Sequence, residues 1–255
     1  MRVTMIASVP PGLILIIGAL IAPLLPRRVR NVYLIALPLI GLAGLITIDH
    51  GIYGAYQVFG YKLAVVRVDK LSLMFGYIFH LAALLSVIYA LHVNDRVQQV
   101  SGMIYVGSAI GAVFAGDLIT LFVYWEGTAI ASVFLIWARR TERAYNAGMR
   151  YLIIQVGSGV LLLVGAIVHV SETGSLAFEH MELKGIAATL IFLAFGIKCA
   201  FPLLHNWLQD AYPEATITGT VFLSAFTTKL AVYALARGFA GAELLIWIGA
   251  TMTAF

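Results

Sequence analysis

Charge is scarce in this chain. Asp, Glu, Lys and Arg make up 11% of its 255 residues, against roughly a quarter in a soluble domain. Cysteine is scarcer still: the single Cys199 excludes an intrachain disulfide. No P-loop, Rossmann glycine fingerprint or metal-spaced Cys/His cluster occurs. Nucleotide-driven pumping and cofactor chemistry are therefore not expected of this chain, and neither a cofactor nor a metal site is expected. The alternating polarity of a membrane β-barrel is missing as well. There is no low-complexity segment and no soluble domain.

What the chain does have is apolar length. Hydrophobic residues are 62% of the total and the mean hydropathy is +0.97. They fall in runs at about 11–25, 31–48, 71–93, 101–116, 118–138, 147–170, 185–208 and 217–238, with a last run starting near 244. Most approach the ~20 residues that cross a hydrocarbon layer. Lipid offers no partner for backbone N–H and C=O groups, so each run should be a helix. The expected fold is an all-α integral membrane bundle of about eight complete spans plus a truncated ninth. Residues 1–100 would hold spans one to three, 101–240 a core of spans four to eight, and 241–255 the start of span nine. The N-terminal run, with Arg2 before it and no convincing cleavage site, reads as a retained first helix. Only 49–70 and 171–184 are long enough to build structure outside the bilayer.

The net charge of +4 reads as membrane topology rather than nucleic-acid binding. With the N-terminus outside, the inner loops hold Arg27, Arg28, Arg30, Arg96, Arg139, Arg140, Arg143 and Arg150. The outer segments then hold Arg2, Lys62, Arg67, Lys70, Lys184 and Arg237. Eight against six favours that orientation.

Three charges remain, all in mid-span: Glu126, Lys198 and Lys229. A charge at that depth costs at least about 2.5 kcal/mol, so each must be neutralised, paired or hydrated. Pro202 lacks the N–H that would bond the carbonyl of residue 198, and Gly196 weakens the same turn, so the seventh span should break there. Broken backbone at membrane depth is tolerated where it is buried in protein or lines a cavity. A lysine at the break, with His205 beyond it, has the make-up of a hydrated ion site or proton relay. The bland alternative is a structural ion pair. His80 and His169 read as packing or interfacial residues, Asp117 as a helix cap, and Tyr124 and Trp125 as packing. For Asp210 and Glu214 two readings stand: proton-uptake residues, or solvated carboxylates.

These residues carry a resemblance. Val68-Asp69-Lys70-Leu71-Ser72-Leu73, Tyr124-Trp125-Glu126, Lys198 followed by Phe201-Pro202-Leu203-Leu204-His205-Asn206-Trp207-Leu208-Gln209-Asp210-Ala211, and Lys229 are similar to the antiporter-like subunits. Those are the large membrane subunits of respiratory complex I and of Mrp-type cation/proton antiporters. Tyr212-Pro213-Glu214-Ala215-Thr216 through Lys229 looks closest to the Mrp D-type subunit. The resemblance implies a Glu126–Lys198 pair whose coupling sets the lysine's proton affinity, Lys229 passing the proton on, and His205 as a nearby relay. It implies a bacterial-type inner membrane, an outside N-terminus, other membrane subunits as partners and protons as cargo, with Na+ as the candidate exchanged cation. The chain departs from the family at Gln209, where a proline is usual, and at Ala215-Thr216-Ile217, where Ala-Pro-Thr is usual. Family members carry about fourteen spans in two inverted halves, so the chain corresponds to the first half. Two rivals stand beside antiport: a proton-pumping subunit of a quinone-reducing or hydrogenase-type complex, and a non-transporting scaffold.

Overall fold

The structure, a computed structural model, describes residues 9–58 and 60–254. Arg2 and Phe255, used in the readings above, lie outside the described residues. The described residues fold as ten helices and one hairpin: α1 (Pro11–Ile21), α2 (Arg27–Ile46), β1 (Gly51–Val58), β2 (Tyr61–Val68), α3 (Lys70–Ala90), α4 (Arg96–Phe114), α5 (Leu118–Trp137), α6 (Glu142–Thr173), α7 (Gly185–Cys199), α8 (Asn206–Ala211), α9 (Ile217–Gly238) and α10 (Glu243–Ala254). A short 3₁₀ turn, Ala22–Leu24, joins α1 to α2.

The helices follow the apolar runs, with α7 and α8 sharing the seventh. Six of them, α2, α3, α4, α5, α6 and α9, are long and apolar enough to cross a membrane. α1, α7 and α10 are shorter apolar helices, so the expected eight full-length spans are reduced in that measure. Caps set the starts. Asp69 and Ser72 form a reciprocal capping box on α3, and Asp117 accepts the Thr120 N–H at 2.7 Å to open α5. The cap expected at Asp117 is thus present.

The helical membrane bundle carries one added element in the 49–70 linker. Residues 51–68 form an antiparallel hairpin registered from Gly51↔Val68 to Val58↔Tyr61. It is tied to helix ends: Ala64 N–H donates to Asp117 Oδ2 at 2.9 Å, and Gly116 N–H donates to Ala64 O at 2.9 Å. Arg67 reaches Phe178 O at 2.8 Å, and Met181 N–H reaches Gly238 O at 2.7 Å. The hairpin and the 174–184 segment therefore knit one end of the bundle together.

The other end is rich in arginine. Arg140 pairs with Asp95 at 3.2 Å, Arg143 with Glu214 at 2.7 Å, and Arg150 with Asp210 at 2.6 Å. Between the two ends α4 is the axis. Nearly every residue from Ser101 to Phe114 is buried, against α1, α3, α5 and α9.

Candidate functional site

The site is built where α7 stops. Its C-terminus turns left-handed at Ala200, with φ +62° and ψ +49°. The Ala200 N–H bonds Ile197 O at 3.1 Å, and the Phe201 N–H bonds Gly196 O at 3.0 Å. This is a Schellman closure with alanine in the position glycine usually takes. The break thus begins before Pro202, which lies just beyond the turn. Gly196 has a packing role rather than the expected weakening one: a Cβ there would strike the Phe201 ring, which folds back over it. The Trp207 indole donates to the same Ile197 O at 2.9 Å, giving that carbonyl a second donor.

Lys198 sits in the last turn of α7, where the negative end of the helix dipole favours a cation. It is 1% exposed. Its Nζ donates to Trp125 O at 3.0 Å and to Thr128 Oγ1 at 2.8 Å, and lies 4.5 Å from the centre of the Trp125 ring. Those partners are all neutral. Trp125 is held by Ser158, which accepts its indole N–H at 3.0 Å and donates to Ala194 O at 2.8 Å. Trp125 therefore does more than the packing expected of it.

Glu126 is half-buried one residue further along α5. Its Oε1 is buried and has no hydrogen-bond partner. The carboxylate makes no direct ion pair with Lys198, whose Nζ is bonded instead to the carbonyl of the residue before Glu126. It fills a gap beside Gly159 of α6, where a Cβ would overlap the carboxylate. One turn away on α6, Gln155 is fully buried with both amide atoms unpartnered. A further turn on, Tyr151 hydrogen-bonds Ser132 of α5 at 2.8 Å. The interface between α5 and α6 therefore carries a column of polar groups running from Glu126 toward the arginine-rich end.

Lys229 is placed apart from this cluster. It is exposed on α9, and its Nζ donates to Ser224 O of the same helix at 2.7 Å. The central, buried lysine expected there is not what the described residues present. Lys229 instead lines an open, mainly apolar cleft of about 700 Å³ with His205, Cys199 and Pro202. Asp210 and Glu214 are engaged in the arginine pairs described above. His80 is fully buried and its Nδ1 meets Gly76 O at 2.7 Å, as a packing residue would. Among the described residues no cluster of three or more metal-ligating side chains occurs.

Sequence reasoning missed Thr128, Ser158, Gln155 and the Trp125 carbonyl. Thr128 three residues after Trp125 on one helix face was the available signal.

The site falls within a recognisable family sequence. Residues 115–252 match the family model described as NADH:quinone oxidoreductase/Mrp antiporter, TM. The chain belongs to this family. Among its relatives, NADH-quinone oxidoreductase subunit M of Escherichia coli K12 is 28% identical over 193 residues, spanning 68% of this chain and 38% of the relative. A Na(+)/H(+) antiporter subunit of Alkalihalophilus pseudofirmus is 29% identical over 205 residues, spanning 72% of this chain and 25% of the relative. A protein in the structure of the membrane-bound sulfane sulfur reductase, an archaeal respiratory membrane complex, superposes with a TM-score of 0.79 at 19% identity, covering 100% of this chain and 58% of that one. The chain thus spans well under two thirds of the length of these relatives. It is a multi-pass membrane protein with the antiporter-like fold, of a type shared by complex I and Mrp subunits.

Proposed function

We propose that this chain forms the proton-handling first half of an antiporter-like membrane subunit, working within a multisubunit complex. The observation that carries the reading is Lys198. It is a buried ammonium at a helix break, held only by neutral acceptors, with a half-buried carboxylate nearby that has an unpartnered oxygen. Such a cation is poised between two arrangements. When Glu126 closes on it, the carboxylate favours the protonated lysine. When the two separate, the ammonium keeps only the neutral acceptors Trp125 O and Thr128 Oγ1. Because the groups are coupled, their titration belongs to the pair.

Lys229 and His205 would take the proton onward through the cleft they share. This requires an element covering that cleft, which the remainder of a full-length relative would supply. Within the family, Mrp-type cation/proton antiport remains the leading reading, with a D-type subunit suggested by the 212–229 segment and Na+ as the candidate exchanged ion. A redox-driven complex is the second reading, and relatives of both kinds support keeping it. Neighbouring genes discriminate: iron–sulfur and flavin subunits point to the redox complex, small membrane subunits alone to antiport.

The test is E126Q and K198A in the intact complex, reading proton translocation in inverted vesicles beside the amount of assembled complex. We expect translocation to be abolished with assembly largely kept. Loss of assembly alone would make the pair structural and favour the scaffold reading.

A further inference from the structure

The start of α2 is electrostatically odd. A helix N-terminus carries a partial positive charge and welcomes acids. α2 opens instead with Arg27, Arg28 and Arg30, has no acid in its first turn, and has no side-chain cap. Topology explains arginines that reach water, but it does not explain Arg30. That residue is 2% exposed, its Nη2 donates to the neutral Asn94 at 2.7 Å, and its buried Nε has no partner.

Arg30 lines an open cleft of about 870 Å³ with Arg27, Arg96, Arg140, Asn94 and Asp95. Four arginines against one carboxylate leave three positive charges in it. Asp95 is already occupied, capping α4 through the Val97 N–H at 2.9 Å and pairing with Arg140 at 3.2 Å. Arg96 stands at the first position of α4, so a second helix N-terminus opens at the same place. Arg27 makes only a 3.4 Å contact to His92 O. Val97, which lines the cleft, is 52% exposed, and Val29 at 51% and Val32 at 68% are exposed on the same helix as Arg27 and Arg30.

We infer that this cleft binds a phosphate-bearing anion, the headgroup of an anionic phospholipid at the arginine-rich face. Planar guanidinium groups with free N–H donors match phosphate oxygens. The N-terminus of α2, which has no side-chain cap, adds a fixed dipole of the right sign. Basic pockets between membrane helices recognise acidic headgroups in this way, and the outward valines would receive the acyl chains. The phosphate would supply the acceptor that Arg30 Nε lacks.

The probe is phosphatidylglycerol. The full chain, in nanodiscs of equimolar phosphatidylcholine and phosphatidylglycerol, is released for native mass spectrometry and its retained lipid counted. We expect phosphatidylglycerol to be retained over phosphatidylcholine. R27Q and R96Q, both at exposed positions, should each lower retention about fivefold, the worth of one arginine near a phosphate-bearing surface. R28Q is the control: Arg28 is exposed on the same helix but does not line the cleft. Equal loss in R28Q, or no preference for phosphatidylglycerol, overturns the site. A thermal shift with inorganic phosphate in detergent that vanishes in R27Q and R96Q keeps the anion site but makes its source soluble.

Discussion

At the scale of single residues, the buried ammonium of Lys198 depends on oxygens that carry no charge. Thr128 Oγ1 supplies one of two acceptors at 2.8 Å, and itself donates to Trp125 O at 2.7 Å. T128V keeps the shape and removes the acceptor. A hydrogen bond to a charged group contributes about 1.5–3 kcal/mol, so T128V should destabilise the chain by that amount. T128S should stay within about 0.5 kcal/mol, and thermal unfolding in detergent compares them. Gly159 gives a second prediction. In G159A the new methyl would collide with the Glu126 carboxylate and push it out of its gap. If Glu126 must move against Lys198, translocation should fall at least about tenfold at normal assembly. An unchanged rate would separate Glu126 from transport. Of these residues the sequence announced only the charged ones. Glu126 and Lys198 stand out because a charge in an apolar run is costly wherever it points. Thr128, Ser158 and Gln155 do not, because uncharged polar side chains are common in membrane helices and their meaning depends on which neighbour they face. The exposure of Lys229 was hidden for the same reason: position along a helix does not fix which side of the bundle it faces.

At the scale of elements, two features repay testing. The first is the end of α7. Ala200 occupies a left-handed position that costs an L-residue roughly 1–2 kcal/mol, which glycine avoids. A200G should therefore raise stability by up to about 1 kcal/mol, the unfolded chain's gain in freedom cancelling the rest. A200V should lower it, because a β-branched residue tolerates this conformation worst. Urea or thermal midpoints in detergent read both. Pro202 made the break legible, while its position three residues earlier follows from the fit of Phe201 over Gly196, which only packing reveals. The second feature is the clasp between α3 and α9. Asp69 Oδ1 and Oδ2 each accept from Arg237 at 2.8 Å, and Oδ2 also accepts from Arg67 at 3.0 Å. Burial opposes ionisation of Asp69, but the Arg237 fork, the Ser72 N–H and Arg67 outweigh it. Together they hold its carboxyl well below the usual carboxylate range. A depressed folded-state pKa contributes stability in full above the unfolded value near about 4, and loses it as pH falls further. The bundle should lose stability on acidification below about pH 4, and D69N should abolish that part of the acid sensitivity. At neutral pH D69N should cost about 2–4 kcal/mol, since Arg237, with a side chain 4% exposed, would lose its partner. The hairpin beside this clasp falls in 49–70, which the sequence marks as long enough to build structure outside the bilayer without specifying strands.

At the scale of the whole molecule, the two ends differ in what holds them. One end is closed by hydrogen bonds among the hairpin, the helix ends and the 174–184 segment, and by the side-chain clasp of Asp69 and Arg237. The other is held by arginine pairs and carries the candidate anion cleft. Helix parity places the loop start Arg28 at the second end and His180 at the first. We propose from the excess of basic residues at Arg28's end that this end faces the cytoplasm. This orientation can be read directly in a C199A background, which removes the chain's only cysteine, a residue that borders the His205–Lys229 cleft. His180 and Arg28 are both exposed. Expressed with its partner subunits in intact cells, H180C should be labelled by a membrane-impermeant maleimide added outside. R28C should be labelled only after the membrane is opened. The reverse pattern would invert the chain and turn the arginine cleft toward the outer leaflet. The α5–α6 polar column, which runs from Glu126 toward the arginine-rich end, would then open toward the outside of the cell.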